Sequence, residues 1–554
     1  MMTSKSQTII NRLGMLLVAF FSIFIFSIKP VKVKAATQVQ TSPRVLLVYD
    51  SYNVRENRQT DVETLARILM SMGQQVTETS MENYHAGQLT KGNYQAVITM
   101  INWPEMNFTN DAFTRDRQNF KGKKLHIGLN LTTAEQQAFP GQWVTLNEQA
   151  FTLQGEHDYY NEQLNIQKRI QLLKQTSGAE QQVSQLISTS GNHEKFPYGV
   201  INGKNAYIPL FDDKGAPLLS SIQLIAKWLG IKGSYNPYIA VQGFTPLSPF
   251  GVTKKFVKQL NQISNNVIIT TTSTTQNTDT KTFKNYLRFL KMMTKDDHAV
   301  LYLNVPALNT ADSSNDDTLE NMLTQEISTF IENKIFPLGI SAPSYWNFDK
   351  YYQMNALDFG DAVMLYGQTQ NQYFHTKTKT SQVFPTTFFA LPNSALKNVN
   401  WEINGKYTEF TFPMPTTIDY QFPKTEKQVD KMFKEILHDP FPPTDKYLYR
   451  FNTGISTQTQ NLRGADGVIT LNGVSVNNIN FEAIENRDNA NAKADNTQSS
   501  AVTTKNIVDN INDILTVIIV SALIVLTIML FKGRRLYLRM FKSRLKKQKK
   551  GNEK

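Results

Sequence analysis

The feature that most restricts how this chain folds is the stretch 238–269, in which a short apolar strand, an amphipathic helix and a second apolar strand follow one another. Residues 238–241 are uniformly apolar and run into a turn rich in Pro and Ser. Phe256, Val257, Leu260 and Ile263 then recur at three- and four-residue spacing, and Val267, Ile268 and Ile269 begin the next strand. This is a βαβ opening. The pattern continues with strands at 299–305, 337–346, 362–366, 385–391 and 411–415. Helices at 317–334 (Leu319, Met322, Leu323, Ile327, Phe330 and Ile331 on one face) and 424–438 lie among them, and 447–451 and 467–471 supply the last strands. The order predicts a distorted (β/α) barrel over 236–480, an architecture that carries its chemistry at the C-terminal ends of the strands. For the first strand those positions are Gln242 and Gly243.

Ahead of the barrel, residues 36–235 read as a separate α/β domain. Strands are expected at 44–50, 94–101 and 124–130. The intervening helix at 61–72 buries Val62, Leu65, Ile68, Leu69 and Met72 and stops at Gly73. This alternation predicts an open parallel sheet, flavodoxin-like in outline, whose ligand positions would be Asp50, Ser51, Asn102, Trp103 and Asn130. A phosphate loop is excluded, because 50–60 contains no glycine. Val144, Leu146, Phe151 and Leu153 suggest short strands, 198–210 a hairpin turning at Asn202-Gly203, and 217–229 a helix ended by Gly230.

Charge separates the body from the ends. The formal charge of the 554 residues is +12, but 1–35 carry +5 and 532–554 carry +10, so the remainder is −3. A mildly acidic body gives nucleic-acid binding no electrostatic support. Residues 1–35 have the form of a secretory signal peptide: Lys5 and Arg12, an apolar run from 13 to 28, then Val33-Lys34-Ala35 as a cleavage site. Residues 514–531 are apolar or small and uncharged, a length of about 27 Å as a helix. A transmembrane helix is therefore expected at 511–531, followed by a basic tail at 532–554 that the positive-inside rule places in the cytoplasm. Residues 481–510 are polar and read as a flexible stalk. With no cysteine, the chain relies on an ordinary core and has no thiolate for catalysis or metal binding.

Three segments of the barrel region carry a family resemblance. They are Ile239-Ala-Val-Gln-Gly-Phe-Thr-Pro, Val300-Leu-Tyr-Leu-Asn-Val-Pro-Ala-Leu and Pro337-Leu-Gly-Ile-Ser-Ala-Pro-Ser-Tyr-Trp. In order and spacing they resemble the polysaccharide-deacetylase superfamily, and in particular a divergent extracytoplasmic branch with an α/β domain ahead of the barrel. The resemblance implies a divalent metal, usually zinc, held by an Asp and two His, with a second Asp as base and a late His as acid. Carried onto this chain, the acidic pair falls on Gln242 and Gly243, the two histidines on Asn304 and Leu308, a further histidine on Ser344, and the late one near Phe451 or Asn452. None of these residues can take the family's role, so no catalytic residue, metal or cofactor is expected. The barrel histidines His298, His375 and His438 show no ligand spacing, and no serine-nucleophile elbow is present.

The expectation is thus a membrane-anchored extracytoplasmic protein with a catalytically inactive deacetylase-like barrel. It would bind a cell-surface or exported polysaccharide, or a partner such as a membrane glycosyltransferase complex, as an accessory to exopolysaccharide or cell-envelope synthesis or export. The candidate groove is Gln242, Asn304, Ser344, Tyr345 and Trp346: the amides hydrogen-bond hydroxyls and the aromatics, with Phe348, stack on sugar rings. Two alternatives stand beside it. The aromatics can equally be barrel core, and the protein can be an active deacetylase or other carbohydrate hydrolase with an altered site.

Overall fold

The computed structural model describes residues 42–478 apart from 177, 179–180, 264–266, 273–278, 295–298, 306–317, 369–371, 404–405, 408–409, 439–440, 442–452 and 466–467. The expected signal peptide, stalk, transmembrane helix and tail lie outside the described residues, as do His298 and Leu308. Among the described residues no helix is long and apolar enough to cross a membrane.

β1 (Arg44–Tyr49), β2 (Gln75–Ser80), β3 (Ala96–Met100) and β4 (Lys123–Ile127) form a parallel sheet in the order β2-β1-β3-β4. Val45, Leu46, Leu47 and Val48 are fully buried, as a strand covered on both faces requires. The helix α1 (Gln59–Ser71) buries Val62, Leu65, Ile68 and Leu69. The sheet does not stop at four strands. After β5 (Gly141–Leu146), β6 (Gln149–Gln154), β7 (Asn161–Ile166), β8 (Ile170–Thr176), β9 (Gln181–Ser188), β10 (Lys195–Asn202) and β11 (Asn205–Ile208), the chain has added five more, giving β2-β1-β3-β4-β11-β10-β9-β6-β7. β11 joins β4 in parallel, and the strands beyond it pair antiparallel. β5 and β8 pair with each other apart from this sheet. The β10–β11 turn sits one residue later than expected: Asn202 pairs with Asn205, so Gly203-Lys204 is the loop, and Gly203 supplies the positive φ of 58°. α2 (Gly215–Leu229) packs on the extension and ends at Gly230.

The second half is a closed barrel of seven parallel strands: β12 (Tyr238–Phe244), β13 (Val267–Thr271), β14 (Ala299–Asn304), β15 (Gly339–Pro343), β16 (Ala362–Tyr366), β17 (Thr386–Pro392) and, after the small hairpin β18 (Glu402–Ile403) and β19 (Lys406–Tyr407), β20 (Thr416–Gln421). Around it lie α3 (Phe250–Leu260), α4 (Lys281–Thr294), α5 (Thr318–Glu332) and α6 (Glu426–Leu437). α3 and α6 meet through Phe256 and Phe433, whose rings are 5.5 Å apart, and through Lys255 and Asp430 at 2.5 Å.

The closing strand is a correction to the sequence reading, which ended the barrel at 447–451 and 467–471. Residues 447–451 lie outside the described residues. Val468–Leu471 is β23 of a four-stranded antiparallel sheet with β21 (Thr453–Ser456), β22 (Asn461–Ala465) and β24 (Val474–Ser475). That sheet covers the N-terminal end of the barrel: Asp361, just before β16, donates to Gly454 O at 3.0 Å, and Ile469 packs on the barrel interior. The strand expected at 411–415 is not formed, Phe412 making only an isolated bridge to Tyr235; the strand is Thr416–Gln421, which turns Thr417, Asp419 and Gln421 inward, contrary to the usual sign of strand patterning.

The two halves are joined into one compact unit. β2 is an edge strand, and the segment between β16 and β17 covers it: Glu78 N donates to Lys379 O at 2.9 Å and Ser381 N to Val76 O at 2.8 Å. An open edge is thereby closed off from other chains.

Candidate functional site at the barrel mouth

Period-two alternation builds the site. The barrel interior contains Tyr238 and Ala240 of β12, Val300 and Tyr302 of β14, Ala362 and Met364 of β16, and Phe388 and Ala390 of β17. One step further toward the C-terminal end, the same inward register gives Gln242, Asn304, Tyr366 and Pro392. All four line a cavity of about 500 Å³ at the barrel mouth, together with Gly243, Gly367, Asn393, Ser394, Asp419 and Gln421. The packed apolar layers thus end in a polar one, where a (β/α) barrel presents its ligands.

Gly243 has φ +85° and sits at a register shift between Val241 and Phe244, an irregularity of the kind that bends a strand locally. Its N–H donates to Thr270 Oγ1 at 3.1 Å. Gln242 Nε2 donates to Asp419 Oδ2 across the seam that closes the barrel. Thr417 Oγ1 donates to the other carboxylate oxygen of Asp419 at 2.6 Å. Tyr366 Oη donates to Asn304 Oδ1 at 3.4 Å. Burial pushes the Asp419 carboxyl up to about 7, against the two hydrogen bonds and the charge of Arg67 that act to lower it.

Arg67 reaches the barrel from α1. Its guanidinium is buried, donates to Ala390 O at 2.7 Å and to Thr64 Oγ1 at 3.1 Å, and lies over the Phe389 ring. Burial lowers its pKa, with Glu63 and Asp419 acting to raise it. Glu63 in turn accepts from Ser344 Oγ and from Gln368 N at 3.2 Å.

The candidate groove residues therefore divide. Gln242 and Asn304 share the mouth cavity. Ser344 and Tyr345 instead line a second cavity, between the sheet and the barrel. Trp346 lines neither: it is fully buried and stacks on Tyr352 at 4.2 Å with planes 6° apart, which makes it core. Asp419 and Arg67 were not among the expected residues, and only barrel closure and the docking of α1 bring them in.

In the sheet, Asp50 is used internally, accepting from Ser51 N at 2.7 Å, Asn102 N at 2.7 Å and Trp103 N at 2.8 Å. Asn130 Nδ2 donates to Pro104 O at 2.9 Å.

The residues at the mouth do not fit a zinc ion. Among the described residues that line the mouth there is no histidine, and the single carboxylate, Asp419, is already bonded by the Gln242 amide. His375 stacks on Tyr351 at 4.1 Å, and His438 bonds Lys434 O at 2.7 Å. Acidic groups do converge on the sheet, where carboxylate oxygens of Asp61, Asp212 and Asp213 lie within 4.8 Å of one another. Arg58 bridges to Asp61 there at 2.8 Å and supplies the compensating charge. What the mouth can do chemically is recognise a neutral polar molecule, through amides and hydroxyls that both donate and accept, with one carboxyl able to change charge near neutrality. No model of a known protein family matches the chain, and no curated protein matches it.

Proposed function

We propose that the protein is a membrane-anchored, extracytoplasmic glycan-binding protein whose deacetylase-like barrel has no catalytic activity, serving as an accessory to the synthesis or export of a cell-envelope polysaccharide. The observation that carries this is the lining of the mouth cavity: Gln242, Asn304, Tyr366, Asn393, Ser394 and Gln421 supply amides and hydroxyls and Asp419 one carboxyl, a set suited to sugar hydroxyls and unsuited to holding a cation. Its size also suits the task, since pockets of about 300–1,000 Å³ are usual for small ligands. The flavodoxin-like order of the first four strands and the anchor expected at 511–531 agree with the divergent deacetylase branch. The test is a glycan array probed with the full-length protein in detergent. Retention of a defined polysaccharide, weakened by Asn304→Ala, is the expected result. Uniform failure to bind any glycan or envelope protein would refute the reading.

A second reading is favoured by one group, Asp419, whose carboxyl titrates near neutrality, where general acid–base catalysis works best. A hydrolase would use it as the acid. Glycoside hydrolysis ordinarily needs a second carboxylate and deacetylation a metal, neither of which the described mouth residues supply. Release of acetate or reducing ends by the wild type but not by Asp419→Asn would establish this alternative.

A further inference from the structure

The mouth cavity offers an acidic ligand nothing to pair with. Among the described residues that line it there is no Lys, Arg or His, and Asp419 is the single carboxyl. The segments that follow β13, β14 and β16 outside the described residues, 273–278, 306–317 and 369–371, contain no Lys, Arg or His either, and they carry Asp312, Asp316 and Asp317. Arg67 acts on Asp419 from α1, but its buried guanidinium donates to Ala390 O and Thr64 Oγ1, pairs with Glu63, and is not part of the cavity lining. β20 lies between β12 and β17, where Asp419 stands opposite Ala240 and Pro392, neither of them charged. Its two oxygens accept from the Gln242 amide and the Thr417 hydroxyl, both neutral. A carboxylate, sulfate or phosphate entering here would give up its water with no cation to replace it, and an unpaired charge is the costliest group to bury. Above about pH 7 it would also meet an ionised Asp419. Sugar hydroxyls incur neither cost, because the amides of Gln242, Asn304, Asn393 and Gln421 both donate to them and accept from them.

We infer that the mouth takes uncharged sugar units and excludes acidic ones, and that Asp419 is the residue that sharpens the exclusion. The inference rests on the glycan-binding function proposed above and narrows its ligand to a neutral polysaccharide, as against one built on uronic acids or carrying phosphate or sulfate. The discrimination has a pH course. At pH 6 the Asp419 carboxyl is largely protonated, and the lack of a cation alone holds acidic units out. At pH 8 it is largely ionised and repels them as well.

The experiment is calorimetric titration of the full-length protein in detergent, at pH 6 and pH 8, with neutral oligomers of glucose, galactose and mannose and with the corresponding uronic acid oligomers, which carry a carboxylate in place of the C6 hydroxymethyl group. Wild type, Asp419→Asn and Ser394→Lys are compared, with thermal melting as the check of folding. A neutral oligomer is expected to bind, and its uronate counterpart to bind about tenfold or more weakly at pH 6, the scale of one polar group buried unpaired. That gap should widen at pH 8. Asp419→Asn should remove the widening and leave the gap seen at pH 6. Ser394→Lys supplies the missing cation at an exposed position of the lining and should narrow the gap at both pH values. Uronates bound as tightly as neutral oligomers, a gap in wild type that ignores pH, or a Ser394→Lys variant that gains nothing toward uronates would each overturn this inference while leaving the glycan-binding reading in place. Binding of no oligomer, neutral or acidic, would overturn that reading and this inference with it.

Discussion

Arg67 Nη1 donates to the backbone carbonyl of Ala390 at 2.7 Å, so a helix of the sheet is bonded into the sixth barrel strand across 323 residues of sequence. The same guanidinium bonds Thr64 and lies near Glu63 and Asp419. With Glu63, which accepts from Ser344 and Gln368, it joins the two halves in one polar network.

Replacing Arg67 by Met should therefore destabilise the whole described body. Loss of one member of a buried charged network costs about 3–5 kcal/mol. Because the halves form one unit, chemical denaturation followed by fluorescence and by circular dichroism should give coincident transitions, both shifted. Arg67→Lys should recover little, because one ammonium cannot reach Ala390, Thr64 and Glu63 together.

Asp419 makes stability depend on pH. Its carboxyl is raised to about 7 by burial, so the folded state holds a proton that the unfolded chain releases near pH 4. The stability it contributes is complete below about pH 4 and is lost as pH rises through about 7. Asp419→Asn removes that loss. Relative to wild type, the variant should gain about 2 kcal/mol between pH 5 and pH 8, measured by urea denaturation at the two values.

Trp346 separates core from binding surface. Its burial and its stacking on Tyr352 predict that Trp346→Ala costs about 3–5 kcal/mol of stability. Glycan affinity, measured at a temperature where the variant stays folded, should be unchanged. A sugar platform would show the reverse.

Chelation tests the metal reading. With no histidine and one carboxylate among the described residues that line the mouth, EDTA treatment should leave both the melting temperature and glycan binding as they were. A fall in either that zinc restores would require ligands not identified at the mouth.

Much of the barrel was legible in the strand–helix alternation, and so was the position of Gln242 and Asn304 at strand ends. A period of two places every second side chain inward whatever the partner strand is, so this much needs only local information. The aromatic run 345–348 was not legible in the same way. A sugar platform and a core cluster have the same composition, and only packing against Tyr352 distinguishes them.

By itself the sequence determined most of the barrel's strand–helix alternation, the acidic body between two basic ends, and the amide and glycine at the end of the first barrel strand. The tertiary structure alone decided that Thr416–Gln421 closes the barrel and sets Asp419 beside Gln242, 177 residues away. It alone brought Arg67 from the helix of the other half to Ala390. Local periodicity specifies which way a side chain faces, whereas strand closure and helix docking specify what it faces. The second depends on contacts between distant segments, which no stretch of sequence contains.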